Sequence, residues 1–320
     1  MKLQVMYSFL KSDLDKVEQE LKQIAVSNDP LLAEAALALI EAGGKRIRPV
    51  FVLLAGKFGA YKFETIKHVA VALELIHMAS LVHDDVIDNA YVRRGCATVN
   101  ARWGDKVAMY TGDYLFAKSL ECITNLEMPE IHKVLSHTMV ELCKGEIEQI
   151  RDKYNFNQNL RTYLRRIKRK TALLIASSCQ LGAVAAGADE QTSKRLFWFG
   201  YFVGMSYQII DDILDFMSNE EELGKPAGED LRQGNITLPV LYAMETPAIK
   251  RKLETVHAGM DRADMQYMIH LIKDGDAIER SFELSERYLQ KALKIIQSLP
   301  KSQAKSAMQS IAKYIGKRKF

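Results

Sequence analysis

Apolar positions along the chain recur mainly at helical spacing. Leu14, Val17, Leu21 and Ile24 stand at i, i+3, i+7 and i+10, and Leu284, Tyr288, Leu289, Leu293 and Ile296 repeat the stripe near the C-terminus. Runs that alternate apolar and polar residues between turn signals are not found, so no strand is predicted. Two stretches, Ala172 to Ala188 and Leu196 to Ile210, carry no charge at all. Both are shorter than the roughly 20 residues a bilayer span needs. They predict central core helices of a bundle, with no transmembrane segment. Turn residues fall at 27–30, 56–63, 127–130, 155–159 and 187–191, and a longer polar stretch covers 218–235. None is a linker, so residues 1–320 predict one all-α domain.

The composition leaves that picture intact and narrows the partners. Of 320 residues, 48% are hydrophobic and 26% charged, with 44 basic against 40 acidic side chains. A net charge of +4 is too small to predict nucleic-acid binding through bulk electrostatics. Cys96, Cys122, Cys143 and Cys179 form no CxxC pair, which predicts reduced thiols in a cytoplasmic protein. The N-terminus turns charged early and lacks the apolar core of an export signal.

The chemistry lies in two copies of DDxxD. Asp84, Asp85 and Asp88 form the first and Asp211, Asp212 and Asp215 the second. On a helix the first and last aspartates lie one turn apart, with the middle one swung aside by about 100°. Each trio is thus expected to present a carboxylate pair. Each also follows an apolar stretch, where crowded carboxylates lose hydration and need a compensating cation. Oxygen donors without His or Cys suit Mg²⁺ whose remaining positions phosphate fills. A single DDxxD is more often a solvated helix face or an N-terminal cap. Two copies in apolar settings favour a Mg²⁺-bridged phosphate ligand.

Basic residues in several segments supply the counterpart. Gly43-Gly44-Lys45-Arg46-Ile47-Arg48-Pro49 combines backbone that an anion can approach with a point charge and a planar guanidinium fork. It is not a Walker A loop, and a basic turn at a helix end remains open as an alternative. Arg93-Arg94-Gly95 follows the first motif, and Lys170-Thr171 stands where an apolar helix begins. His77 precedes Asp84 by two turns, where a core histidine is the alternative, and Gln208 precedes Asp211 by three residues.

The order GGKRIRP, His77, DDVID, RRG, Lys170-Thr171, Gln208, DDILD resembles the trans-isoprenyl diphosphate synthases over nearly the whole chain. That resemblance implies the isoprenoid-synthase helical bundle, with the two aspartate-rich helices across a deep central cavity. It implies that Lys45, Arg48, His77 and Arg94 hold isopentenyl diphosphate, and that Arg93, Lys170, Thr171, Gln208 and Lys225 hold the allylic diphosphate. It further implies that Asp84, Asp88 and Asp211 ligate Mg²⁺, three ions with substrate bound, with Asp85, Asp212 and Asp215 in support. In the reaction so implied, the allylic C–O bond ionises, isopentenyl diphosphate attacks the cation, and the released diphosphate takes the proton. The family commonly carries a lysine where this chain has Asn235, which puts one diphosphate contact in doubt.

Product length is expected to depend on Ala79 and Ser80, just before Asp84. In short-chain members of the family this chain resembles, a bulky aromatic near these positions closes the tunnel, so the resemblance implies that two small side chains leave it open for a product longer than C20. Within the family the chain resembles the two-component synthases of Gram-positive bacilli. This implies a farnesyl diphosphate primer, a C35 (heptaprenyl) product for the menaquinone side chain, and a small non-catalytic partner subunit. Homodimerisation through helices and transient membrane contact on product release are further expectations. Four other readings compete: a single-component synthase of hexaprenyl to octaprenyl or geranylgeranyl length, a terpene synthase on the same fold, an HD-type phosphohydrolase built on His83-Asp84, and a non-enzymatic helical scaffold that would bind neither Mg²⁺ nor diphosphate. The terpene synthase would not need Lys45, Arg48 and Arg94, and the phosphohydrolase wants further histidine ligands.

Overall fold

The computed structural model describes residues 3–25, 28–93, 95–217 and 227–316. Arg94 and Lys225, two of the expected diphosphate ligands, lie outside them. In chain order the helices are α1 Lys11–Ala25, α2 Pro30–Glu41, α3 Ile47–Gly56, α4 Phe63–Ile87, α5 Val99–Trp103, α6 Asp105–Thr124, α7 Pro129–Arg151 and α8 Leu160–Ile167. There follow α9 Leu173–Ala185, α10 Glu190–Met217, α11 Glu229–Arg232, α12 Leu238–Ala243, α13 Pro247–Leu253, α14 Arg262–Lys273, α15 Ala277–Gln297 and α16 Gln303–Gly316. They group into two compact units. The first is Met1–Met139, Ser177–Phe197 and Ser298–Met308; the second is Val140–Ala176, Trp198–Gln297 and Gln309–Phe320.

In the first unit, helix starts follow local chemistry. Asp29 caps α2 by accepting from the Leu32 amide at 3.0 Å, and Pro30 occupies the first turn, where its missing N–H costs nothing. Helix α4 packs along α6 and α3. At Gly112 of α6 an added Cβ would run into the His83 ring, so a glycine sets the close approach of the two helices. Among the described residues, α4 is the one helix long and apolar enough to cross a membrane, yet 67% of its apolar window is buried. It is a core helix. Charge-free runs do not reveal it, because Glu74 sits in its middle.

The second unit is built on Tyr163, Ile209, Ile213, Phe216, Leu238 and Val240 from α8, α10 and α12, with α14 and α15 closing around them. Helix α10 departs from the expected all-round burial. Trp198 is 48% exposed, and its ring meets Tyr201 at 5.4 Å and Phe202 at 5.8 Å, so this apolar run has an open aromatic side.

One further difference is a small antiparallel hairpin. Val92–Arg93 (β1) pairs with Cys96–Ala97 (β2), Arg93 opposite Cys96, and Gly95 turns with φ of 77°. Strands of two residues are too short for alternation to show in a sequence.

Candidate active site

The first aspartate motif closes α4. Asp84 lies in its last turn and Asp88 caps it, with the Asp88 amide donating to the Asp84 carbonyl at 2.8 Å. Both carboxylates are half-buried, whereas Asp85 is 3% exposed. The hairpin brings Arg93 back onto Asp85, with Nε at 2.8 Å and Nη2 at 2.7 Å from Oδ1. Burial raises the Asp85 pKa in spite of this guanidinium. The expected compensation of the crowded carboxylates therefore comes in part from Arg93, which sequence reasoning placed only on substrate. The same unit carries exposed Lys45, half-buried Arg48 and half-buried His77. A small cleft takes in His77, Asp85 and Arg93 together with Arg46, Glu74, Leu81 and Trp103.

The second motif, on α10, is asymmetric. Asp211 is half-buried, but Asp212 and Asp215 are 3% and 2% exposed. The expectation that Asp211 and Asp215 form a presented pair is corrected. Asp215 Oδ2 accepts from the Asp230 amide at 3.1 Å and its carbonyl from the Gly228 amide at 2.7 Å, because the chain around α11 folds over it. Asp212 accepts from the Tyr163 hydroxyl at 2.6 Å and from Gln208 Nε2 at 2.8 Å. Gln208 Oε1 in turn accepts from Thr171 Oγ1 at 2.6 Å. Burial, with Asp230 nearby, pushes the Asp212 pKa up to about 8. Thr171 and half-buried Gln208 thus form a hydrogen-bonded chain that orients the motif.

Lys170 and Thr171 sit on a π-helical turn, Lys168–Ala172, a local widening often found at functional positions. Lys170 pairs with Glu146 at 2.8 Å, and neighbouring Arg169 binds Glu141 at 2.9 Å and Glu148. Asn235, 9% exposed, donates its backbone N–H to the Asp230 carbonyl at 2.8 Å, and its side chain brings no charge.

The residues present suit Mg²⁺. Asp84, Asp88 and Asp211 offer oxygen donors that are only half-buried, while their neighbours Asp85 and Asp212 are taken up by protein donors. Among the described residues no three His, Cys, Asp or Glu side chains converge into a protein-only metal cage. A hard ion that completes its octahedron with phosphate oxygens and water fits this donor set. His83, on which the HD-type reading rests, faces the Met109 carbonyl at 3.1 Å and Asp113 at 3.4 Å.

Arg93 at the first aspartate motif, and Tyr163 with Gln208 at the second, take up Asp85 and Asp212 and leave Asp84, Asp88 and Asp211 as half-buried oxygen donors, a set suited to an enzyme that binds a phosphate ester through a metal ion. The polyprenyl synthetase family model matches residues 29–273, and the chain belongs to that family. It is a trans-prenyltransferase, in a family that generally depends on Mg²⁺. All 320 residues align at 62% identity with heptaprenyl diphosphate synthase component 2 of Bacillus subtilis (strain 168), over 92% of that protein. The protein of the same name from Geobacillus stearothermophilus is also 62% identical, over its full length. Among solved structures, heptaprenyl diphosphate synthase from Staphylococcus aureus superposes with a TM-score of 0.94 at 43% identity, over 97% of this chain and 98% of that one. A polyprenyl synthase from Caulobacter crescentus CB15, complexed with calcium and isoprenyl diphosphate, also reaches 0.94, at 29% identity over 99% and 98% of the two chains.

Proposed function

We propose that this chain is the catalytic subunit of a two-component synthase that extends farnesyl diphosphate with isopentenyl diphosphate units to heptaprenyl diphosphate, the precursor of a menaquinone side chain. Full-length identity of 62% to two proteins named component 2 of heptaprenyl diphosphate synthase carries this reading, and the name component 2 supports a partner subunit. Four cysteines without a disulfide are in keeping with a cytoplasmic enzyme.

In this reading Asp84, Asp88 and Asp211 would hold Mg²⁺, three ions with substrate bound. The metal would supply charge neutralisation for the departing diphosphate. Lys45, Arg48, His77 and Arg94 hold isopentenyl diphosphate, so its double bond waits beside the allylic carbon. Arg93, Lys170 and Lys225 bind the allylic diphosphate, and Thr171 and Gln208 orient the second motif from the same side. These cations favour charge on the leaving group as the C–O bond breaks. Fixing both reactants beforehand removes the entropic cost of their meeting. No protein side chain is needed as a base, because the released diphosphate accepts the proton.

The test is incubation with farnesyl diphosphate, isopentenyl diphosphate and Mg²⁺, with and without the small subunit, read by product mass. A C35 product that needs the partner is expected. A shorter sole product, or full activity of the chain by itself, overturns the corresponding part.

A further inference from the structure

In the run Lys45-Arg46-Ile47-Arg48 the three basic side chains do different work. Lys45 is exposed and Arg48 half-buried, but the Arg46 side chain is 13% exposed and turned inward. Its Nε and Nη2 donate to the two Glu18 oxygens, both at 2.8 Å, and Nη1 donates to Glu74 Oε1 at 3.1 Å. Nη2 also reaches the Ile40 carbonyl at 2.9 Å. All three guanidinium nitrogens are engaged, and two carboxylates absorb the charge, so Arg46 is not available as an anion ligand.

Its backbone is also special. Arg46 has φ of 46° and ψ of 37°, a left-handed conformation that L side chains adopt at a cost. Such strain persists where surrounding contacts over-determine it, and it concentrates at functional sites. Here the contacts come from α1 through Glu18, from the end of α2 through Ile40, and from α4 through Glu74. The left-handed residue stands between Lys45 and the start of α3, where Ile47 is buried. Glu74 lies three residues before His77 on α4, so one network ties the basic loop to the helix that carries His77.

We propose that Arg46 is the positioning residue of the isopentenyl diphosphate subsite. Held by Glu18 and Glu74, it fixes the junction between the Lys45 loop and the first turn of α3, from which Lys45 and Arg48 reach that substrate, and ties it to the His77 helix. The inference rests on the assignment of Lys45, Arg48 and His77 to isopentenyl diphosphate made above.

The experiment is steady-state kinetics of the full chain with its small subunit, varying each substrate while the other saturates. Arg46→Lys and Glu18→Gln are compared with wild type and with Lys45→Ala. Both variants are expected to raise KM for isopentenyl diphosphate about tenfold or more, while KM for farnesyl diphosphate stays within about twofold. The double variant should cost less than the product of the single effects, because both act through one network. Glu18 is 35% exposed, so Glu18→Gln carries the test if Arg46→Lys does not fold. Equal changes in both KM values, or a lowered urea midpoint with both KM values unchanged, overturn the proposal. Failure of the wild-type enzyme to consume isopentenyl diphosphate would instead overturn the functional reading beneath it.

Discussion

The Tyr163 hydroxyl donates to Asp212 at 2.6 Å inside the second unit, and the tyrosine ring is fully buried. A carboxylate this deep keeps its place only if donors replace lost water. Tyr163 from α8 and Gln208 from α10 are those donors, and Thr171 fixes Gln208. The backbone next to Asp211 is thus held from two helices.

Tyr163→Phe keeps the ring and removes one donor. The loss should cost about 1–3 kcal/mol, read as a lower urea midpoint with an unchanged slope. Turnover should fall as well, because Asp212 can then shift and carry Asp211 with it. Full activity at an unchanged midpoint would show that the hydroxyl is dispensable.

Gly204→Ala probes the surface on which the π-helical turn rests. An added Cβ would lie 2.6 Å from the Ala172 Cα, a backbone atom that cannot swing away. Overpacking of this kind typically costs about 1–3 kcal/mol. Since Lys170 and Thr171 belong to the displaced turn, KM for farnesyl diphosphate should rise along with the stability loss. Stability loss with normal kinetics would separate the turn from substrate binding.

Asp84→Asn and Asp211→Asn remove half-buried oxygen donors that no other residue replaces. Each should lower turnover by about 100-fold or more and raise the Mg²⁺ concentration needed for half-maximal rate, with little change in unfolding midpoint. Asp85→Asn should behave differently. It leaves Arg93 without the carboxylate it grips at 2.7 Å, so stability falls too. Circular dichroism melts beside Mg²⁺ titrations distinguish the two patterns.

The all-α class was legible because amphipathic spacing is local: Val17 and Leu21, or Leu284 and Leu289, repeat within one helix and are buried as the stripe requires. The aspartate motifs were legible for the same reason. What a motif's spacing does not carry is the direction in which tertiary contacts pull a side chain. Asp215 shares a helical face with Asp211 by periodicity, yet the backbone at Gly228 and Asp230 covers it. Arg46 sits among residues of the same charge, but partners 28 residues away on either side, Glu18 and Glu74, draw it inward. Tyr163 meets Asp212 across 49 residues and has no motif at all. Trp198 reads as core by composition, and only the packing of α10 reveals its exposed edge.

Product length tests the proposal that the growing chain passes Ala79 and Ser80 on α4. Ala79 is fully buried, so Ala79→Phe would force a large ring into packed surroundings and is expected to destabilise the fold, confounding any product assay. Ser80 is half-buried, and its hydroxyl donates to the His77 carbonyl one turn earlier at 2.8 Å, a bond that α4 can lose without leaving a buried orphan. Ser80→Phe is therefore the informative variant. If the product passes this position, the ring should stop elongation early and shift the mass distribution toward shorter chains, while the first addition of isopentenyl diphosphate proceeds at near wild-type rate. Single-turnover rates and product masses measured on one enzyme preparation check both halves. Unchanged C35 product from a folded Ser80→Phe enzyme would place the length-setting residues elsewhere.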